Sequence, residues 1–271
     1  MIKFIKSVFT WALGIISVVF TFVPEALFGS CKIFPDASDE VNIMVNRVMF
    51  FLTVVVLAAI GYALYLLCRK SVSIKGKNYN IKISYGDIFD VSARKKVIPF
   101  DECFTTEVGQ EPAQVKPSSI CGQYLTRYPI ADIRPLIEKA QLKPCKGRSK
   151  YNNQERYESG RLVPHGDYLL MAFAKLDKDG LGRMTRDEFL ECLSILWQEI
   201  DKHYGQTDVC ISILGSGATR MGDNTITQQE LLDMIIGSYK LSVNKIKVPS
   251  TLHIVCKRRD GFSLNRIGEH L

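Results

Sequence analysis

Two long uncharged stretches near the amino terminus constrain this chain more than any other feature. Between Lys6 and Glu25 lie 18 residues, Ser7 to Pro24, without a charged side chain. Between Arg47 and Arg69 lie 21 more, Val48 to Cys68. A helix rises about 1.5 Å per residue, so the second stretch reaches the ~30 Å of a hydrocarbon core. The sequence therefore predicts a two-helix transmembrane hairpin over residues 1–70, with spans at about 7–24 and 48–68. The alternative for the first stretch is a signal peptide with Lys3 and Lys6 in its basic region. Its apolar run is longer than is usual for one, and no small-x-small cleavage site precedes Glu25. Ala59 and Ala63, with Gly61 between them, offer a small-residue face for helix packing.

Charge sets the orientation. Lys3 and Lys6 precede the first span, and Arg69, Lys70, Lys75 and Lys77 follow the second. The loop between carries Lys32 against Glu25, Asp36, Asp39 and Glu40. Basic residues stay on the cytoplasmic side, so both termini are expected to be cytoplasmic and the short acidic loop outside. Residues 1–68 hold four basic and four acidic side chains, so the net charge of +7 falls on the remainder. That excess suits a domain near anionic headgroups or one binding an anionic ligand. Nucleic acid is disfavoured, because no dense Lys/Arg run is interleaved with aromatics.

Composition, 46% apolar and 23% charged, excludes wholesale disorder. The eight cysteines, Cys31, Cys68, Cys103, Cys121, Cys145, Cys192, Cys210 and Cys256, are scattered without a Cys-x-x-Cys pair or a cluster of histidine partners. They read as ordinary thiols in a reducing compartment, and no metal site is expected. From residue 72 strands and helices alternate, predicting a cytoplasmic α/β domain over 72–271. Val72, Ile74, Ile81 and Ile83 alternate around a Gly76–Asn78 turn. Val97–Phe100 reads as a short strand ended by Pro99, residues 107–122 as a loop, and Ile130–Ala140 as a helix. Tyr168–Ala174, Val209–Leu214 and Leu252–Cys256 read as buried strands. Thr185/Glu188 and Thr227/Glu230 are capping boxes that start two helices.

Three features bear on chemistry. Ile211-Ser-Ile-Leu-Gly215-Ser216-Gly217-Ala218-Thr219-Arg220 is a strand opening into a glycine loop whose N–H groups can cradle phosphate. It is neither a Walker A loop nor a GxGxxG fingerprint; a plain strand-ending turn is the alternative. Asp177–Glu188 resembles a calcium loop, but Leu181 stands where a ligand oxygen is needed. An exposed strand-to-helix turn explains it better. His165, His203, His253 and His270 have no partner at catalytic spacing, so the residues give no positive sign of an enzyme.

Tyr85-Gly86-Asp87-Ile88-Phe89 at a strand end resembles the Gly-Asp-Ile signature of macro domains, and Leu214-Gly215-Ser216-Gly217 resembles their second phosphate loop. Together with the apolar spans, GDIFD, KVIPFDECFTT, PSSICGQ and ILGSGATR resemble the membrane-anchored, macro-like effectors of bacterial type II Thoeris antiphage systems. The resemblance implies a three-layer α/β/α domain with a mixed sheet. It implies that Gly86, Asp87 and Ile88 hold the adenosine end of an ADP-ribose derivative, with Asp87 on the adenine. Leu214, Gly215, Ser216, Gly217, Ala218, Thr219 and Arg220 would hold phosphate. Macro hydrolases carry an Asn-Ala-Ala-Asn stretch and a Gly-Gly-Gly loop. Here Val97–Thr106, with Phe100 and Asp101, stands in the first place, and Pro117–Gln123, with Ser119, Ile120, Gly122 and Gln123, in the second. That departure favours binding over hydrolysis, with no cofactor. The resemblance also implies a partner TIR protein that consumes NAD and makes the signal, with histidine–ADP-ribose as the known type II form. Signal binding then leads to homo-oligomerisation and disruption of the bacterial inner membrane, where the resemblance places the chain. An anchored ADP-ribosyl hydrolase and a membrane adaptor without a small-molecule signal are the alternatives.

Overall fold

The computed structural model describes residues 2–28, 32–93, 95–111, 114–217, 219–222 and 226–267; Cys31, Ala218 and His270 lie outside them. The chain divides into two compact units, Met1–Arg69 and Lys70–Leu271.

The first unit holds α1 (Ile2–Phe22), the single turn α2 (Glu25–Phe28) and α3 (Asp39–Cys68). Phe4–Phe22 and Asp39–Cys68 are long and apolar enough to cross a membrane. Pro24 disfavours helix in the residue before it, and α1 ends two residues ahead of it. α3 starts nine residues before the uncharged run. Ser38 caps it by accepting from the Val41 N–H, and Asp39 and Glu40 suit the positive end of its dipole. Asn42, fully buried, bonds the Phe34 backbone, accepting its N–H and donating to its carbonyl, which closes the preceding turn. Val8, Ala12 and Ile16 pack against Val54 and Ala58. The helix seam centres on Ala12 and Ala58; of the expected small-residue face, Ala59 packs against it half-buried, whereas Gly61 is exposed.

The second unit is a mixed sheet between two helical layers. Its strands are β1 (Ser71–Lys75), β2 (Asn80–Tyr85), β3 (Lys95–Asp101), β4 (Leu162–His165), β5 (Tyr168–Leu176), β6 (Gly182–Met184), β7 (Val209–Ser212), β8 (Arg220–Met221) and β9 (Thr251–Cys256). Their order is β1-β2-β9-β7-β3-β5-β6-β8, with β4 also on β5. From β2 to β5 all neighbours are parallel. β1 pairs antiparallel with β2, β4 and β6 pair antiparallel with β5, and β8 pairs parallel with β6. The helices are α4 (Ile120–Arg127), α5 (Arg134–Lys139), α6 (Arg186–His203) and α7 (Gln228–Leu241).

Strand alternation sorts the core onto two faces. Leu169, Met171 and Phe173 of β5 join Val209 and Ile211 of β7 under α6 and α7, beside Trp197 and Tyr239. Leu170 and Ala172 face the other way with Ile98, Cys210, Phe100 and Tyr124 of α4. Both capping boxes form.

Three expectations are corrected. β3 does not end at Pro99. The Lys96 N–H donates to Asp167, beside β5, and the Lys95 N–H to Asp208, beside β7, so the N–H groups of odd residues face β7. Pairing with β7 stops at Lys96, so the missing N–H of Pro99 removes no ladder bond. Second, residues 107–122 are not all loop, because α4 begins at Ile120 with Ser119 as its cap. Third, the helix expected at 130–140 is confined to Arg134–Lys139, behind an Asp132 turn that accepts the Arg134 N–H.

Candidate functional site

Parallel strands bring their carboxyl ends to one edge, where ligand crevices form in open α/β sheets. At that edge lies a cavity of about 520 Å³, a volume typical of small-molecule sites. Of the residues singled out from sequence, Gly86, Asp87, Ile88, Phe100, Asp101, Ser119, Ile120, Leu214, Gly215, Ser216, Gly217, Thr219 and Arg220 line this one cavity. They come from segments more than 130 residues apart in the chain. Gly122 and Gln123 do not line it.

The β2 end supplies the Asp87 corner. Asp87 Oδ1 accepts the Phe89 N–H at 2.9 Å, a turn that holds the carboxylate at the cavity wall. The Arg127 guanidinium stacks 4.1 Å from the Phe89 ring centre, so the end of α4 braces the same corner. At the β3 end, Asp101 Oδ1 accepts the Cys103 N–H at 2.8 Å and the Thr105 N–H at 3.3 Å. Burial pushes its carboxyl above the ordinary carboxylate pKa. Glu102 points away from the cavity: it is 2% exposed and binds Ser149, Arg156 and the Leu176 N–H. This pins the basic 143–161 connection to the sheet.

Gly122 has a structural role instead of a contact role. A Cβ there would lie 2.2 Å from the Lys116 carbonyl oxygen and 2.9 Å from Pro117 Cα. Only glycine lets α4 start against the Lys116–Ser119 turn that lines the cavity. Gly122→Ala is expected to lower stability by about 1–3 kcal/mol, read as a lower urea midpoint with unchanged slope.

The loop after β7 is the second wall. Gly215 has φ of 77° and its missing Cβ would meet Met221 Sδ at 2.8 Å, so glycine is required by the backbone itself. Gly217 differs: nothing lies within 4 Å of a Cβ placed there. Ser216 Oγ donates to the Ile213 carbonyl at 2.6 Å, and Arg259 Nη1 donates to the Ser216 carbonyl at 2.5 Å. The same loop borders a smaller cavity of about 180 Å³ reaching Met221 and Leu231.

Sequence reasoning missed part of the lining. Lys116, Lys257 and Arg259 join Arg220 around the cavity, four cations against Asp87 and Asp101. The Lys257-Arg258-Arg259 run directly after the last strand was the available signal. The 177–188 turn is also corrected: Lys178 and Asp179 are exposed, but Gly180 is buried and Gly180–Gly182 line the cavity. β6 folds back on β5, pairing Leu176 with Gly182, and carries the turn there. Asp177 is committed to the Asp179 and Leu181 N–H groups and to Arg183, and Glu188 to the helix cap and Lys175. Among the described residues no group of three His, Cys, Asp or Glu side chains is placed to hold a metal ion.

A mixed sheet between two helical layers, with a cation-lined crevice at the carboxyl ends of its parallel strands, is the arrangement of a macro domain. The chain belongs to the Thoeris protein ThsA macro domain family, whose model matches residues 81–257. It is 27% identical over 270 residues to Thoeris protein ThsA of Bacillus amyloliquefaciens (strain Y2), covering 96% of this chain and 88% of that one. Among solved structures it is similar to a macrodomain of Oceanobacillus iheyensis, at 11% identity and TM-score 0.46, covering 74% of this chain and 94% of that one. The macrodomain of Thermus aquaticus DarG gives 11% identity and TM-score 0.38, over 65% of this chain and 97% of that one.

Proposed function

We propose that this protein is a membrane-anchored effector of antiphage defence whose macro domain binds an ADP-ribose conjugate and does not hydrolyse it. A partner TIR protein makes the conjugate from NAD, and histidine–ADP-ribose is the form to test first. The observation that carries this reading is the single cavity joining the Asp87 corner, the Gly215–Gly217 loop and four cations. A nucleoside diphosphate needs a polar acceptor at its base, backbone donors at its phosphates and compensating positive charge. The three meet here in a volume that fits one such molecule. Residues 101–106 support binding without hydrolysis. Asp101 Oδ1 is taken up by the Cys103 and Thr105 N–H groups, and Phe104 is 1% exposed in the core. α1 and α3 hold the domain at the inner membrane. Signal binding drives homo-oligomerisation, which disturbs the bilayer.

The test is calorimetric titration of the purified protein with NAD, ADP-ribose and histidine–ADP-ribose, with product analysis. Saturable binding of the conjugate without turnover supports the reading; release of free ADP-ribose from the conjugate overturns it. Asp87→Ala is expected to weaken binding about 10- to 150-fold, since a hydrogen bond to a charged group contributes about 1.5–3 kcal/mol. Asp87→Asn keeps an acceptor for the Phe89 N–H, so it separates loss of charge from loss of the turn.

A further inference from the structure

The end of α7 and the segment behind it read Lys240-Leu241-Ser242-Val243-Asn244-Lys245-Ile246-Lys247-Val248, basic and aliphatic residues interleaved. The segment is anchored at two points. Ile246 is 1% exposed and its N–H donates to Tyr239 Oη at 2.9 Å. The Val248 N–H donates to the Asn78 carbonyl in the β1–β2 turn. Around these anchors Leu241 is 87% exposed, Val243 92% and Val248 52%. No other large hydrophobic side chain among the described residues is as exposed as Leu241 or Val243. Lys240 and Lys247 are exposed beside them, as is Lys77 next to Asn78. Lys245 lies over the Tyr79 ring, 5.5 Å from its centre. No acidic residue occurs from 234 to 259, nor from 69 to 86.

We propose that this surface docks on an anionic lipid bilayer, with Leu241 and Val243 entering the headgroup–acyl boundary and Lys77, Lys240 and Lys247 meeting lipid phosphates. The proposal rests on reading α1 and α3 as membrane spans. Aliphatic side chains held out in water beside exposed lysines match an interface that is apolar below and negative above. Charge selects this occupant. A symmetric contact with a second copy would set lysines against lysines, whereas anionic headgroups neutralise them. The contact is small, but a chain already tethered to the bilayer meets it at high effective concentration, so weak intrinsic affinity suffices.

The experiment uses the full chain in nanodiscs and depth-dependent quenching of indole by brominated acyl chains. Wild-type protein reports the spans through Trp11, which is 50% exposed on α1, over a constant background from Trp197 at 1%. The double variant Trp11→Phe, Val243→Trp reports the surface. In phosphatidylglycerol discs the introduced indole is expected to be quenched at least twofold. In pure phosphatidylcholine, or with Lys77→Glu, Lys240→Glu and Lys247→Glu added, quenching is expected to disappear. Quenched Trp11 with an unquenched introduced indole overturns the docking surface and leaves the spans standing. No quenching of either indole overturns the spans and the surface together. Equal quenching in both lipids overturns headgroup recognition. Burial of the introduced indole only in discs holding two chains marks a contact between copies and overturns the proposal.

Discussion

Gly217→Val is expected to weaken binding of an ADP-ribose conjugate more than a hundredfold while leaving thermal stability within about 2 °C of wild type. The two glycines of the loop serve different ends. At Gly215 the positive φ, and the Met221 sulfur only 2.8 Å from where a Cβ would stand, make any side chain costly to the fold itself. At Gly217 a Cβ meets nothing within 4 Å, yet the residue lines the cavity. A valine there fits the empty protein and occupies the space where a phosphate would approach the backbone. A hundredfold loss corresponds to about 2.8 kcal/mol, the scale of a displaced charge-assisted contact. Gly215→Val should instead lower the melting temperature, and any binding loss should follow from it. Calorimetry and thermal melts on both variants decide the matter. Normal binding by Gly217→Val would place the phosphates elsewhere and sink the assignment of the loop.

Deleting residues 1–68 is expected to keep ligand affinity within about twofold and to abolish toxicity in cells supplied with the signal. The binding half follows from the partition of the chain: every residue lining the cavity lies in the unit Lys70–Leu271, which has its own two-faced core. The toxicity half follows from the composition of the spans. One hairpin with so few polar residues cannot line a water-filled path, so permeability requires several hairpins acting together or a disturbed bilayer. Ligand can drive assembly only by binding the assembled state more tightly. Moving a population from 1:99 to 99:1 takes about 5.5 kcal/mol of differential affinity, which several subunits can share. Membrane potential, measured with a voltage-sensitive dye after the signal is added, should collapse with the full chain and hold with the truncated one. Collapse with the truncated chain would falsify the mechanism and reduce the hairpin to an anchor.

Period and punctuation carried the local structure. The apolar runs gave α1 and α3, and the capping boxes Thr185/Glu188 and Thr227/Glu230 gave the starts of α6 and α7, because a helix nucleates on side chains within four residues of its cap. Buried parallel strands announced themselves as unbroken apolar runs, as Tyr168–Ala174 did for β5, since both faces are covered. α4 was illegible because its stripe is short and mixed, ICGQYLTR, and Gly122 argues against helix by propensity. Its reason for being glycine, the Lys116 carbonyl, is a packing fact. Pro99 read as a stop because sequence does not say which side of a strand goes unpaired.

Residues a few positions apart were enough to specify the apolar hairpin and the α/β class, because period and capping depend on immediate neighbours and could be read along the chain. Asp87 and the Gly215–Gly217 loop stood out through the motifs they share with macro domains. That Gly180–Gly182, Lys116, Lys257 and Arg259 share the same cavity, and that Gly122 and Gln123 stay out of it, became visible only in three dimensions. Those assignments depend on strand order and on β6 folding back along β5, pairings between distant segments whose closure entropy and register leave no mark in local sequence.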